Sequence, residues 1–186
     1  MLVKNIVDCV LKFLGNAELI DAINNDLELN ESQKEELQTI LMCVNMVNNI
    51  IATDYLKLKE TITLENVSGK ILFSDITNKK ILDIVKICDT FGNSLKYKMD
   101  YDGVLTKKGK VVLTYAFFPN TMDINDELDF KTHINERIFT YGVLAEYYFF
   151  KGNFDDASIW DIRFKQALQT SIRKQGEIRL PKRGWF

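Results

Sequence analysis

Residues able to do chemistry are few in this chain, and none stands in a recognised catalytic spacing. The single histidine, His133, falls in the first turn of a predicted helix beside its capping residue. There it could serve only as a lone base or ligand, and a structural or solvated role is favoured. Asp100-Tyr101-Asp102-Gly103 has the opening of a calcium loop, but the next oxygen-ligand position is Val104 and no glutamate closes it, so a hairpin turn is favoured. Asp123, Asp126, Glu127 and Asp129 could hold a divalent cation or form a solvated connection, and the second is preferred. Cys9, Cys43 and Cys88 are isolated, odd in number and set in apolar patterns, as expected of reduced core thiols made in a cytoplasm. The chain contains no Gly-rich phosphate loop, no Cys-x-x-Cys, no His-Glu-x-x-His and no Gly-x-Ser-x-Gly. The expectation is a non-enzyme without cofactor or metal.

The residue types that remain suit recognition. Phe139, Tyr141, Tyr147, Tyr148, Phe149, Phe150, Phe154, Trp160 and Phe164 are a heavy aromatic load for two helices. Most must be core. The run Tyr147-Tyr148-Phe149-Phe150 nevertheless covers more than one helix face, so at least one ring must point away from the bundle, as rings do on partner surfaces. Farther on, Glu177-Ile178-Arg179-Leu180-Pro181-Lys182-Arg183-Gly184-Trp185-Phe186 mixes cations with apolar residues. Each large aromatic exposes area worth roughly 1.5–3 kcal/mol if buried, which argues against a frayed end. Docking on a partner through Arg179, Leu180, Lys182, Arg183, Trp185 and Phe186 is favoured. Docking on the same chain comes second and nucleic-acid binding third.

The 186 residues suit one domain with room for an inserted subdomain, and 46% hydrophobic content supports a real core. No apolar run approaches the ~20 residues that cross a bilayer, so a soluble chain without export signal or membrane partner is expected. The net charge of −2 conceals a division. Arg173, Lys174, Arg179, Lys182 and Arg183 face Glu177 alone, a local +4 that leaves −6 for the mildly acidic body.

Periodicity supplies the elements. Apolar residues from Leu2 to Leu14 recur at helical spacing up to Gly15, Asn16 caps a short second helix ending at Asn24-Asn25, and an acid-rich turn after Asn30 opens a long helix over about 31–55. From Leu56 the period changes to two. Strands are predicted over 58–64, 70–73, 81–87, 94–99 and 110–117, with turns at Asp89–Gly92 and Asp102-Gly103. Pro119 ends the sheet. Helices return over 132–151 and after Gly152-Asn153, forming an αα-hairpin. The class is therefore α+β: a bundle of four to five helices with a small antiparallel β-subdomain inserted and an extended C-terminal arm. Its segments are the N-terminal helices 1–56, the β-subdomain 57–118, the loop and hairpin 119–175, and the arm 176–186.

Three blocks carry a family resemblance: Arg137-Ile138-Phe139-Thr140-Tyr141-Gly142-Val143-Leu144-Ala145-Glu146-Tyr147, Trp160-Asp161-Ile162-Arg163-Phe164-Lys165-Gln166-Ala167-Leu168, and Lys182-Arg183-Gly184-Trp185. They resemble the C-terminal third of the head-tail connector, or adaptor, proteins of tailed bacteriophages, and the order of elements is similar to the tail-tubular-protein-A type of short-tailed phages. The likeness is architectural over the whole chain and sequence-like over about the last 55 residues. It implies a structural virion protein at the head-tail interface, assembled in the host cytoplasm. Such proteins form a homo-oligomeric ring of about twelve copies beneath the portal protein, extend the DNA channel and offer a platform to the next tail or nozzle protein, with DNA passing through the lumen unread. On this resemblance the arm from Gly176 to Phe186 meets the portal, anchored by Arg179, Lys182, Arg183 and Trp185. The β-subdomain faces a neighbouring subunit or the tail, and a mildly acidic wall lets DNA slide. The competing reading is a non-enzymatic interaction or regulatory module whose basic C-terminal tail binds nucleic acid.

Overall fold

The computed structural model describes residues 1–128, 130 and 134–173. Within them the chain forms two units, one from residues 1–47 and 122 onward, the other from 48–121. The predicted α+β class is what the structure has.

The first unit is helical. Helix α1 (Val3–Leu14) buries Val3, Ile6, Val7, Val10 and Leu11 on one stripe and ends at Gly15, whose φ of 72° only glycine adopts freely. Helix α2 (Ala17–Asn24) is capped by Asn16, whose side chain accepts from the Leu19 N–H at 3.2 Å. Helix α3 (Glu31–Ile50) begins with a reciprocal capping box: Gln33 N–H donates to Asn30 Oδ1 at 2.8 Å and Asn30 N–H to Gln33 Oε1 at 3.1 Å. It passes into a π-helical turn, Ile51–Tyr55, so the predicted 31–55 helix is continuous but wider at its end. Helix α5 (Glu136–Phe150) starts at the Asn135 cap, four residues later than predicted, because Asn135 Oδ1 accepts from Ile138 N–H at 3.0 Å and ends the extended approach. Helix α6 (Phe154–Arg173) returns against it. Gly142 lies mid-α5 because a Cβ there would stand 2.9 Å from Val47 Cγ1 and 3.1 Å from the Phe164 ring. That close approach seats α5 against α3 and α6. The core continues through Ile40, Val44, Phe139, Val143, Leu144 and Leu168, all buried.

The acidic connection before α5 is a built turn. Asp126 accepts from the Asp123 N–H at 2.7 Å, Val3 N–H donates to the Asp126 carbonyl at 3.0 Å, and Leu128 N–H to the Met1 carbonyl at 3.0 Å. The N-terminus and this loop thus hold one another in a short antiparallel bridge.

The second unit holds two three-stranded antiparallel sheets where one was predicted. Strands β1 (Leu58–Asn66), β6 (Gly109–Phe117) and β3 (Ile81–Asp89) form the larger, in the order β1-β6-β3. Strands β2 (Lys70–Leu72), β5 (Gly103–Thr106) and β4 (Tyr97–Met99) form the smaller, in the order β2-β5-β4. The unpredicted elements are β5 and a one-turn helix, α4 (Phe73–Ile76), between β2 and β3. Asp102-Gly103 does not simply turn: Gly103 opens β5 opposite Leu72, where a Cβ would stand 2.3 Å from the Ile71 carbonyl oxygen. The core of this unit is Ile71, Ile76, Ile84, Ile87, Val104, Val111, Leu113, Tyr115 and Phe117. Among the described residues no helix is long and apolar enough to cross a membrane.

The charge divides further than the sequence suggested. The sheet unit carries eleven lysines against eight carboxylates, +3, so the helical unit before Arg173 is −9 rather than sharing a mild −6.

Candidate partner-docking site

The α5–α6 hairpin presents a different surface at each of its ends. At the closed end Gly152, with φ 76°, makes the reversal and Asn153 opens α6, its amide donating to Asp156 at 2.7 Å. Of the run Tyr147 to Phe150, Tyr147 turns inward and its phenol hydrogen-bonds the Glu36 carboxylate, which also takes Lys151 Nζ at 2.9 Å. Burial, then that carboxylate, pushes the Tyr147 phenol well above its ordinary range. Phe149 and Phe150 go the other way, 62% and 59% exposed, as the four-residue aromatic run requires, and Phe154 at the start of α6 is 63% exposed. Phe149 and Phe154 meet edge-on with centroids 5.5 Å apart. Ile159 and Ile162 of α6 are also about half-exposed.

Beneath the phenylalanines is a cleft of about 330 Å³ with Ala145 and Ala157 at its base and Glu146 and Asp161 on its walls. Burial raises the Glu146 carboxyl, the neighbouring Asp161 raises it further, and Lys165 opposes both. An acidic run flanks this end: Glu31 and Glu35 are exposed in the first turns of α3, ahead of Glu36.

At the open end, about 20 Å along α5, a shallow groove of about 720 Å³ runs between the start of α5 and the last turns of α6. It is lined by Arg137, Tyr141 and Arg163 with Gln166 and Thr170. Arg137 donates to the Tyr141 hydroxyl and lies over its ring at 5.4 Å, Arg163 lies 4.8 Å from the Trp160 ring, and Tyr141 and Trp160 are 5.4 Å apart. Phe13 of α1 closes the stack against Trp160 at 5.3 Å. Both guanidiniums are thus held by aromatic faces and keep donors available for carboxylate or phosphate.

The arm residues Arg179, Leu180, Lys182, Arg183, Trp185 and Phe186 lie outside the described residues, as do His133 and Asp129. In Asp100–Gly103 the two carboxylates are occupied by one ammonium: Lys70 Nζ sits 2.7 Å from Asp100 and 2.6 Å from Asp102. This is the turn of the β4–β5 hairpin. Among the described residues no three ligating side chains gather as a metal site would need. Cys43 and Cys88 are buried and Cys9 half-buried, and burial pushes the Cys43 thiol up to about 12.

Sequence reasoning identified the outward aromatic ring but missed the arginine groove. Arg137-x-x-x-Tyr141 is readable as one helix face. That Trp160 and Arg163 of another helix complete it depends on the packing of α5 against α6. Compared with known proteins, the chain matches no protein-family model and no curated protein.

Proposed function

We propose that this chain is a structural assembly subunit, a head-tail connector of a tailed phage that forms a ring under the portal, extends the DNA channel and supports the next tail protein. The observation that carries the reading is the exposed Phe149–Phe154 pair with Phe150 at the tip of a rigid helical hairpin. A monomer with no further partner gains nothing from three half-exposed phenylalanines on one turn, whereas an assembling one uses them as anchors. A ring requires two different surfaces on each subunit, because a heterologous contact must offer one face and receive another. The hairpin supplies such a pair: an aromatic, acid-flanked tip and an arginine-lined groove at its other end. The architecture expected of such adaptors, helices with an inserted antiparallel subdomain, supports the reading. The basic aromatic arm 176–186 remains the portal-binding element in this proposal.

The test is assembly. Mixed with its portal, the protein forms rings visible by electron microscopy. Replacing Phe149 and Phe154 together by serine abolishes ring closure while leaving the far-ultraviolet circular dichroism and melting temperature unchanged. A double variant that still closes into rings on the portal defeats the proposal.

A further inference from the structure

We propose that the outer face of the small sheet is a nucleic-acid backbone site, in which Lys96, Lys98, Lys107 and Lys108 take successive phosphates. This is independent of the connector reading and of the basic C-terminal tail. The strand register defines the face. Ile71, Val104 and Met99 stand in one cross-strand row, and Ile71 and Val104 belong to the core, so the opposite row, Lys70, Leu105 and Lys98, points outward. Tyr97 confirms the alternation on β4, because its hydroxyl turns inward to the Ile84 carbonyl at 2.8 Å. Lys98 therefore stands on the outer face, and Lys96, just ahead of the first residue of β4, is exposed as well.

Lys107 and Lys108 come next to them in the β5–β6 turn. The Thr106 hydroxyl donates to the Lys96 carbonyl at 3.1 Å, and the buried Asn66 amide donates to the carbonyls of Thr106 and Lys107 at 3.3 and 3.1 Å. Its Oδ1 accepts from Gly69 N–H at 2.9 Å, and the Lys108 stem passes beside Gly69. The turn is therefore held in place while its ammonium groups stay in solvent.

The face is electropositive by count: Lys70, Lys96, Lys98, Lys107 and Lys108 stand against Asp100 and Asp102, a local +3. Asp100 and Asp102, in the adjoining β4–β5 turn, are both paired with Lys70. Lys70, then the Tyr101 backbone N–H, and more weakly Lys98, hold the Asp100 carboxyl below the usual range. Among the described residues none of Lys96, Lys98, Lys107 and Lys108 forms an ion pair. By contrast Lys110 stands opposite Glu65 across the β1–β6 pair. Four exposed ammonium groups, none in an ion pair, gathered on β4 and the turn beside it suit a polyanion, and Tyr101, 99% exposed at the β4–β5 turn, adds a ring at the sheet's edge. The contacts proposed are to phosphate, so binding is independent of sequence.

The experiment measures anisotropy of a fluorescein-labelled DNA duplex of about 20 base pairs with the full-length protein, against a Lys96→Gln, Lys98→Gln, Lys107→Gln, Lys108→Gln variant and the matching all-arginine variant. Four released counterions predict that affinity falls roughly a hundredfold between about 50 and 200 mM salt. The glutamine variant binds at least about tenfold more weakly at the lower salt, with a correspondingly shallower slope. The arginine variant binds like the parent. A chain ending at Gln175 lacks the basic arm 176–186, so it isolates the sheet: it retains a salt-dependent affinity that the glutamine changes remove. Equal affinity of parent and glutamine variant, complete loss on removing the arm alone, or binding to phosphatidylserine vesicles without binding to the duplex would each overturn the proposal. Parent-like circular dichroism of the glutamine variant assigns its loss to charge.

Discussion

Gly142 shows how one missing methyl sets the packing of a helix. Alanine there improves helix propensity by up to about 1 kcal/mol, but its Cβ would meet Val47 Cγ1 at 2.9 Å and the Phe164 ring at 3.1 Å, both in the core. Overpacking of this kind costs about 1–3 kcal/mol, so Gly142→Ala lowers stability by about 1–2 kcal/mol, measurable as a fall of a few degrees in melting temperature. Glu146 acts in the opposite sense. Its carboxyl is raised by burial and by Asp161, so the native chain holds that proton more tightly than the unfolded chain does. Stability therefore falls as pH rises from the ordinary range near 4.5 through the raised value, and stays lower above it. Glu146→Gln removes this penalty: the variant melts higher than the parent at pH 7, and the difference shrinks as the pH is lowered through the ordinary glutamate range. An advantage that persists undiminished in acid would assign the effect to packing.

Among the elements, the helices were legible because their ends are marked chemically. Asn16, Asn30, Asn135 and Asn153 stand at the four helix starts that follow a loop, and Gly15 and Gly152 at two of the stops. The late start of α5 is the exception that shows the rule, since the apolar spacing from Ile134 extends beyond the true cap. The small sheet was less legible. Strand β5 is four residues long, and a turn signal, Asp102-Gly103, overlaps its start. A short strand carries too little periodicity to be seen, and only pairing with β2 and β4 on both sides makes it one. Gly103→Ala tests that pairing. With backbone 2.3 Å from the new Cβ, no side chain can yield, and a loss of at least about 2 kcal/mol in urea unfolding of the sheet unit is expected.

For the whole molecule, the partition of charge matters more than its sum. A net −2 hides a −9 helical unit, a +3 sheet unit and a +4 tail. Such a chain offers anionic and cationic partners different surfaces, and association through them weakens with salt. On the connector proposal, removing residues 176–186 is expected to abolish capture by a portal in pull-down while leaving the melting temperature within about 1 °C of the parent, because the described cores of both units are built from residues before Arg173. If the truncated chain still docks, the arm is not the portal contact. The α+β class, the order of the five main helices and of five strands, the caps of α2, α3 and α6 and an outward aromatic ring followed from the sequence alone, because helix and strand periods, capping side chains and the crowding of four consecutive rings are local properties. The second sheet, the stacking of Arg137 and Tyr141 beside Trp160 and Arg163, and the meeting of Lys70 with Asp100 and Asp102 were decided by tertiary structure. Each depends on residues distant in the chain meeting at angstrom range, and local spacing does not specify which strand, helix or carboxylate stands opposite.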